Sequence, residues 1–418
     1  MRMKNLFKTL FILLPVLFFS QDRKAIGNTF IEELFIKKNA EKAYSLFNAT
    51  VSGQISTEGL KSIAEQMQGQ LGAFRKVIEV NNDNAIYYYY SEFEKSKLDI
   101  QISFDGENKI SGLFFVPHKT FEKDDLNSLH IKSDGIELKG TLLQPVQNNQ
   151  KKLVIFVHGS GPQDRDETIG ENKPFKDIAE YLFNNGISSY RYDKRTYSNP
   201  ETFNDQSTVE QETINDAVNA SDYFKNNKNF KDYQIIILGH SQGAYLMPEI
   251  AKRARASKYI FMSGNATPLQ NLIVEQFEYL HKIDPTSVSD RDVYNMKKEV
   301  EFLNSDKFTL KASNEELPMG WSVTYWKYLV DYKPLEAVQS IKVPMFFAQG
   351  GRDYQVTEKD FTLWKNQLKN NKSAMFKFYP GLSHLFISGS GIPSPKDYEI
   401  KGNVDPLFLT DLKNFILN

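Results

Sequence analysis

The chain has 418 residues, 40% of them hydrophobic, which is enough for sizeable cores and for two domains. Its formal net charge of −1 gives no reason to expect nucleic acid or an anionic membrane surface as partner, and small or neutral substrates fit better. Cysteine is absent, which excludes disulfides, thiolate catalysis, cysteine-based metal sites and lipid modification of an N-terminal cysteine.

Arg2, Lys4 and Lys8 precede an apolar run from Leu10 to Phe19, after which Ser20-Gln21-Asp22 turns polar. This pattern predicts a signal peptide over residues 1–20, cleaved after Ser20, and an exported, soluble product, periplasmic or secreted. The apolar run is too short to span a bilayer as a mature helix. Phe18, a large residue at −3, leaves an uncleaved anchor as the alternative.

From about Lys24 to Met67 apolar residues recur with helical spacing: Ile26, Phe30, Leu34 and Phe35, then Ala43, Tyr44 and Phe47, then Leu60, Ile63, Ala64 and Met67. The period then changes. Phe74 to Val80, Ala85 to Phe93, Lys97 to Phe104 and Ile110 to Val116 read as four strands of an antiparallel meander, separated by turn-forming residues. Tyr87 to Tyr90 alternate faces on such a strand, so at most two rings pack inward; core packing is expected, with a stacking platform as the sharper alternative. Residues 21–125 therefore read as a small α+β domain. It resembles the cone-shaped helix-plus-sheet modules, NTF2- or cystatin-like and of unassigned function, that precede hydrolase domains in many exported bacterial proteins.

Pro117 to Asn127 is polar and marks a boundary. Ser128 to Ile131 and Glu137 to Gln144 predict a hairpin around Ser133-Asp134-Gly135. Leu153 to Val157 is a buried strand. Then strands and helices alternate: helix Phe175 to Phe183, strand Ile187 to Tyr192, helix Val209 to Lys225, strand Ile235 to Leu238, helix 242–256 and strand Lys258 to Met262. Such alternation means βαβ units and a mostly parallel sheet. A helical stretch over about 267–337, rich in charge and in aromatics such as Trp321, Tyr325, Trp326 and Tyr328, interrupts it. Strand Val343 to Ala348, helix Thr357 to Lys369, strand Ala374 to Tyr379 and a helix from Pro406 complete an α/β domain over 126–418. Pro248 inside the helix at 242–256 predicts a kink.

Gly239-His240-Ser241-Gln242-Gly243 joins the strand ending at Leu238 to its helix. The pattern alone arises by chance in roughly one such chain in ten, but a buried strand before it and a helix after it mark a nucleophile elbow. There a serine sits in a strained backbone, with glycines two before and two after because side chains would clash. A serine hydroxyl needs a base, and the base needs a carboxylate. Downstream of Ser241 there are two histidines. His281 lies in the inserted helices, whereas His384 follows the last strand, at the sheet edge where ligand sites gather. Asp353, ending the preceding strand, is the expected acid, and Glu358 a distant second because it falls inside the next helix. The expected oxyanion donors are the backbone N–H groups of Gln242 and Ser160, with Gly161 in reserve.

His158 to Glu167 (His-Gly-Ser-Gly-Pro-Gln-Asp-Arg-Asp-Glu), Arg191 to Arg195 (Arg-Tyr-Asp-Lys-Arg), the Gly-His-Ser-Gln-Gly elbow, Gly351-Arg352-Asp353 and Ser383-His384 stand in one order. Together they resemble the α/β-hydrolase superfamily, and most of all its EstD-type carboxylesterases, over about residues 126–418. The resemblance implies a serine esterase that cleaves short acyl esters through an acyl-enzyme, without a cofactor or metal, beneath a helical lid. The chain departs from many such proteins at Gln242-Gly243-Ala244, where they carry Glu-Gly-Gly, and at Thr196-Tyr197, where they carry glycine. Asp164, Arg165, Asp166, Asp193 and Arg195 are expected to form an ion-pair network bracing the oxyanion loop.

Two other readings use the same residues differently. A serine aminopeptidase or amidase would share the triad and hold a substrate amine with lid acids, for which Glu275, Glu278, Glu299, Glu301, Glu315 and Glu316 are available. Alternatively, the front domain binds a glycan or envelope component and the hydrolase rides along.

Overall fold

The computed structural model describes residues 18–83, 85–118 and 126–418; most of the expected signal peptide lies outside them. The chain divides into two compact units, Met1–Lys123 and Asp124–Asn418.

The first unit opens with helix α1 (Phe18–Ile31), which runs into a π-helical turn (Glu32–Ile36), followed by α2 (Ala40–Tyr44), α3 (Ala49–Gln54) and α4 (Thr57–Leu71). Asn39, Asn48 and Ser56 cap the last three, each side chain accepting an N–H of the first turn. Strands β1 (Phe74–Asp83), β2 (Ile86–Phe93), β3 (Lys97–Phe104) and β4 (Ile110–Val116) form an antiparallel meander in that order. Its core joins Phe30, Leu34, Phe35, Phe47 and Leu60 from the helices to Tyr87, Tyr89, Ile100 and Ile102 from the sheet. Tyr87 and Tyr89 thus take the inward role that alternation expects. On the other face Tyr88 is also buried, and Tyr90 stacks on His118 with ring centroids 3.5 Å apart.

In the second unit the expected hairpin resolves into three strands. β5 (Ile131–Ser133) and β6 (Ile136–Leu138) close a tight ribbon, and β7 (Gly140–Leu143) leaves it to pair antiparallel with the strand Ser188–Tyr192. Leu138 turns into the core at the end of the ribbon and Gly140 opens the next strand, so one apolar run serves two sheets. The main sheet is built from β8 (Lys152–Val157), β9 (Ser188–Tyr192), β10 (Gln234–His240), β11 (Lys258–Met262), β12 (Met345–Gly350) and β13 (Ala374–Tyr379), all parallel, with β7 at one edge in the order β13-β12-β11-β10-β8-β9-β7.

Helices cover both faces. Alternate residues of β8 go to opposite cores: Leu153, Ile155 and Val157 to one, Val154 and Phe156 to the other. The first core takes α7 (Asn215–Asn226), α9 (Met247–Ala254) and α14 (Glu358–Gln367), the second α5 (Pro174–Asn184) and α15 (Pro406–Leu417). The short α6 (Arg195–Ser198) follows β9. The helix expected from Val209 begins as a π-helical turn, Glu210–Ile214, before α7. The inserted stretch comprises α10 (Leu269–Ile283), α11 (Asp290–Leu303), α12 (Val323–Asp331) and α13 (Pro334–Ala337), and it sends Trp326 and Leu329 into the first core. Among the described residues no helix is long and apolar enough to cross a membrane.

Pro248 divides the elbow helix into α8 (Gln242–Tyr245) and α9, sitting in the first turn of the second piece, where its missing N–H costs least. After β8 the chain builds β9 on one side and then crosses back to build β10 on the other. This reversal opens a crevice at the carboxyl ends of β8 and β10, where sites form in such sheets.

The elbow presses on β8. A Cβ on Gly243 would lie 2.4 Å from the Val157 carbonyl oxygen, and one on Gly239 2.5 Å from the Gly243 backbone. Gly243→Ala is therefore expected to cost about 1–3 kcal/mol of overpacking, read as a lower midpoint in thermal unfolding. An unchanged midpoint would show that the elbow relaxes away from β8 at no cost.

Candidate functional site

Strand β10 delivers Ser241 to the crevice with φ 50° and ψ −115°, a conformation costly for a residue with a Cβ. The strain is held by pairing on either side: the Ser241 N–H donates to the Met262 carbonyl and its carbonyl accepts the Tyr245 N–H, both at 2.9 Å. Ser241 is the N-cap of α8, so the Gln242 N–H belongs to the first turn, whose donors have no partner inside the helix. Ala244, a departure from the pattern of the look-alikes, is fully buried where Gly264 leaves room for its methyl group.

Asp353 and His384 come from the ends of β12 and β13. The His384 Nδ1–H donates to Asp353 Oδ2 at 2.6 Å, and both side chains are buried. Every lone pair of the carboxylate is spoken for: Oδ2 also accepts from Gln349 Nε2 at 3.1 Å, and Oδ1 accepts the N–H groups of Gln355 and Val356 at 2.9 Å. This fixes the ring's tautomer and leaves Nε2 free of the Asp353 contact. Gly350 permits the approach, since a Cβ there would meet the Leu382 carbonyl at 2.4 Å. The Ser241 hydroxyl has no hydrogen bond to His384 in this conformation; the two are linked through His240, whose ring lies 4.5 Å from that of His384 and whose Nε2–H donates to the His384 carbonyl at 3.0 Å. Glu358 is exposed in the first turn of α14, and His281 bonds within the inserted helices to Val288 and Asp290.

The loop after β8 is held from three directions. The Gly159 N–H donates to Glu167 Oε1 at 2.7 Å, and its carbonyl accepts from Lys194 Nζ at 2.7 Å. His158, which burial pushes down to about 4, stays neutral and donates from Nε2 to the Asp164 carbonyl at 3.0 Å. The Ser160 and Gly161 N–H groups make no hydrogen bond among the described residues. Ser160, Ser241 and Gln242 together line a cavity of about 160 Å³, walled by Leu269, Leu272, Ile273, Phe277 and Val356.

Of the charged residues expected to brace this loop, Asp164, Arg165, Asp166 and Asp193 make contacts there and Arg195 does not. Arg165 grips Asp193 through Nε and Nη2, at 3.0 and 2.8 Å, and Arg191 pairs with Asp166. The Asp164 carboxylate caps the backbone at Asp166 and Thr168. Arg195 instead pairs with buried Asp216, so it belongs to the packing of α7 and not to the loop.

Two groups of buried charge at the site are absent from the sequence reading. Glu167, with φ 54°, places its Oε2 2.9 Å from His240 Nδ1, both residues almost wholly buried. Burial disfavours charge on both, but each outweighs it for the other: Glu167 is lowered and His240 raised. One carboxylate thereby holds the loop after β8 and, through His240, the backbone of His384. The second group is Lys194, whose ammonium also meets Glu212 Oε1 at 2.6 Å and Gln242 Oε1 at 3.2 Å. Tyr325, on the inserted α12, donates to Glu212 and accepts from Gln242 Nε2 at 2.8 Å. The nearest signal in the sequence was the run of charges around both motifs, which says nothing about partners so distant in the chain.

A family model described as serine aminopeptidase, S33, matches residues 148–389, and one described as a protein of unknown function (DUF3887) matches residues 29–113. Esterase EstD of Thermotoga maritima is 32% identical over 408 residues, covering 93% of this chain and 94% of its own. Among solved structures, an esterase of Pyrococcus furiosus is 15% identical with a TM-score of 0.44, over 69% of this chain and 89% of that one. Est1E from Butyrivibrio proteoclasticus is 18% identical with a TM-score of 0.44, over 70% and 98%.

The Glu167–His240 pair has a pH signature. The lowered Glu167 contributes stability above its unfolded pKa of about 4.3, lost as pH falls through the folded value; the raised His240 contributes below its unfolded pKa of about 6.5, lost as pH rises through the folded value. Thermal unfolding of Glu167→Gln against the unsubstituted protein should therefore differ most between those limits and less in acid or alkali. A gap that does not change with pH would mean that the pair is uncharged.

Proposed function

The chain belongs to the serine aminopeptidase S33 family of α/β-hydrolases, and on that premise we propose that it is a carboxylesterase in which Ser241 is the nucleophile, His384 the base and Asp353 the acid that orients it. The carrying observation is the buried 2.6 Å contact between His384 and Asp353, beyond the carboxyl ends of β13 and β12 on the same sheet edge as the strained Ser241. In this reading His384 takes the Ser241 proton as the alkoxide attacks the ester carbonyl. The Gln242 and Ser160 N–H groups hold the oxyanion. His384 then gives its proton to the leaving alcohol, and a water activated by the same ring releases the acid.

Ester is favoured over amide on two grounds. The 32% identity to an esterase extends over nearly the whole chain. None of the six lid glutamates that could hold a substrate amine lines the cavity at Ser241; Glu275 and Glu278 are paired with Lys359 and Lys297, and Glu316 accepts the Ser313 N–H. The small cavity, with Leu269, Leu272, Ile273 and Val356 in its wall, suits a short acyl chain.

Hydrolysis of p-nitrophenyl esters from two to twelve carbons should peak at the short chains, and Ser241→Ala should lower it about a thousandfold or more. Full turnover by Ser241→Ala would remove the assignment. Turnover of aminoacyl amides with no turnover of any ester would move it to the amide-cleaving reading.

We also propose export through residues 1–20, supported by Arg2, Lys4 and Lys8 ahead of the apolar run. Protein recovered from its native cells should begin at Gln21; a mature chain that begins at Met1 would overturn this.

A further inference from the structure

A second cavity, of about 340 Å³, adjoins the one that holds Ser241. Trp321 lines both, and consecutive residues of one loop divide between them, Ser160 in the first and Gly161 with Pro162 in the second. An ester bound with its carbonyl oxygen at that loop has two arms to place, and the two cavities differ in what they offer. The first is the smaller and takes four aliphatic side chains, Leu269, Leu272, Ile273 and Val356, alongside aromatic and amide ones, whereas the second has no Leu, Ile or Val in its wall. The second combines aromatic rings, Phe203, Trp321 and Tyr325, with the hydrogen-bonding side chains of Thr196, Asn204, Asp205 and Ser322. Glu212 is also in its wall, but its charge is met by Lys194, so the cavity is not a site for a cation.

The aromatic surface is rigid. Trp321 stacks on the buried Trp326 at 5.3 Å and meets Tyr325 edge-on at 5.1 Å, and Phe203 packs edge-on against Tyr325 at 6.2 Å. Asn204 and Asp205 are exposed on the adjoining turn, where the Asn204 side-chain oxygen accepts the Gln206 N–H and leaves its amide N–H groups for a ligand. Flat aromatic surface bordered by amide, hydroxyl and carboxylate groups matches a saturated ring that is apolar on its C–H face and carries hydroxyls at its rim. The volume falls in the range of small-molecule sites, about 300–1,000 Å³.

We propose that the second cavity is the alcohol subsite and that the alcohol is a sugar, so that the substrate class is short-chain acyl esters of carbohydrates. This rests on the esterase reading above. The chemistry is that of the proposed mechanism: the Ser241 Oγ–acyl bond forms as the ester bond to the sugar breaks, the sugar leaves as a hydroxyl with the His384 proton, and the acyl arm stays on Ser241 in the first cavity.

The test compares kcat/KM of the full chain for glucose penta-acetate, phenyl acetate and ethyl acetate, together with acyl-length preference on ethyl esters. The unsubstituted protein should prefer the sugar acetate. The double variant Asn204→Ala/Asp205→Ala, and separately Phe203→Ala, should lower kcat/KM for the sugar acetate about tenfold, the size of one or two lost contacts, and leave ethyl acetate within about twofold. The acyl-length preference should not move. Because Phe203 packs against Tyr325, its variant is read alongside thermal unfolding; Asn204 and Asp205 are exposed, so theirs carries the result if Phe203→Ala is unstable. The inference is overturned if the sugar acetate is unaffected by the double variant, if these substitutions shift the acyl-length preference, or if phenyl acetate is preferred and only Phe203→Ala matters. If Ser241→Ala still turns over ethyl acetate, the esterase reading fails and this inference with it; serine-dependent turnover indifferent to the cavity variants sinks the inference alone.

Discussion

A serine at φ 50° carries backbone strain of order 1–3 kcal/mol, and something must hold it there. What holds it is close packing: β8 leaves no room for a side chain at Gly243, the elbow's own turn leaves none at Gly239, and Ser241 is clamped between the Met262 carbonyl and the first turn of α8. The rest of the site depends on this closeness. Since the elbow lies against the end of β8, the loop from His158 to Pro162 passes directly beside Ser241. A Cβ on Gly159 would come within 3.3 Å of the Ser241 Cβ. Two sets of unpaired backbone N–H groups, one from the helix start and one from the loop, are thus brought to one place without any side chain being needed to carry them.

Loops that expose backbone donors are held from behind, and here charges buried in the protein hold them. An isolated carboxylate or ammonium in such surroundings would neutralise; here Glu167 faces His240 and Lys194 faces Glu212, and Glu167 and Lys194 each also meet the backbone of Gly159. The geometry is economical. Gly159 is gripped at its N–H by Glu167 and at its carbonyl by Lys194, so its peptide units cannot rotate without stranding a buried charge. The Asp353 carboxylate follows the same rule, held by three other donors in addition to His384.

The parts of this arrangement that follow from local pattern could be read from the sequence. Buried strands announce themselves as β-branched and aromatic runs between turn residues, and the bounds of Lys97–Phe104, Lys258–Met262 and Ala374–Tyr379 are those expected. The contact between Asp353 and His384 followed from strand ends and chain order alone. What escaped was what depends on long-range pairing. Charge around Arg165 and Arg195 suggested one network, but only the fold shows that Arg195 turns away to Asp216. Tyr325 and Glu212, 113 positions apart, carry no mutual signal in a single sequence. The hairpin before β8 was misjudged because apolar alternation from Ile136 to Leu143 does not reveal that the chain changes sheets at Lys139.

The link from Tyr325 to Glu212 and Gln242 sets which part of the insertion is free to move. Swinging α12 outward would leave Glu212 with one partner fewer and strip the Gln242 side chain of its acceptor. The turn just before α12 bears no such penalty. Met319 and Gly320 adopt φ of 60° and 64°, Met319 is exposed, and the two residues reach into the first and second cavities respectively. A change at this turn would therefore leave both bonds of α12 intact, whereas lifting α12 would break them.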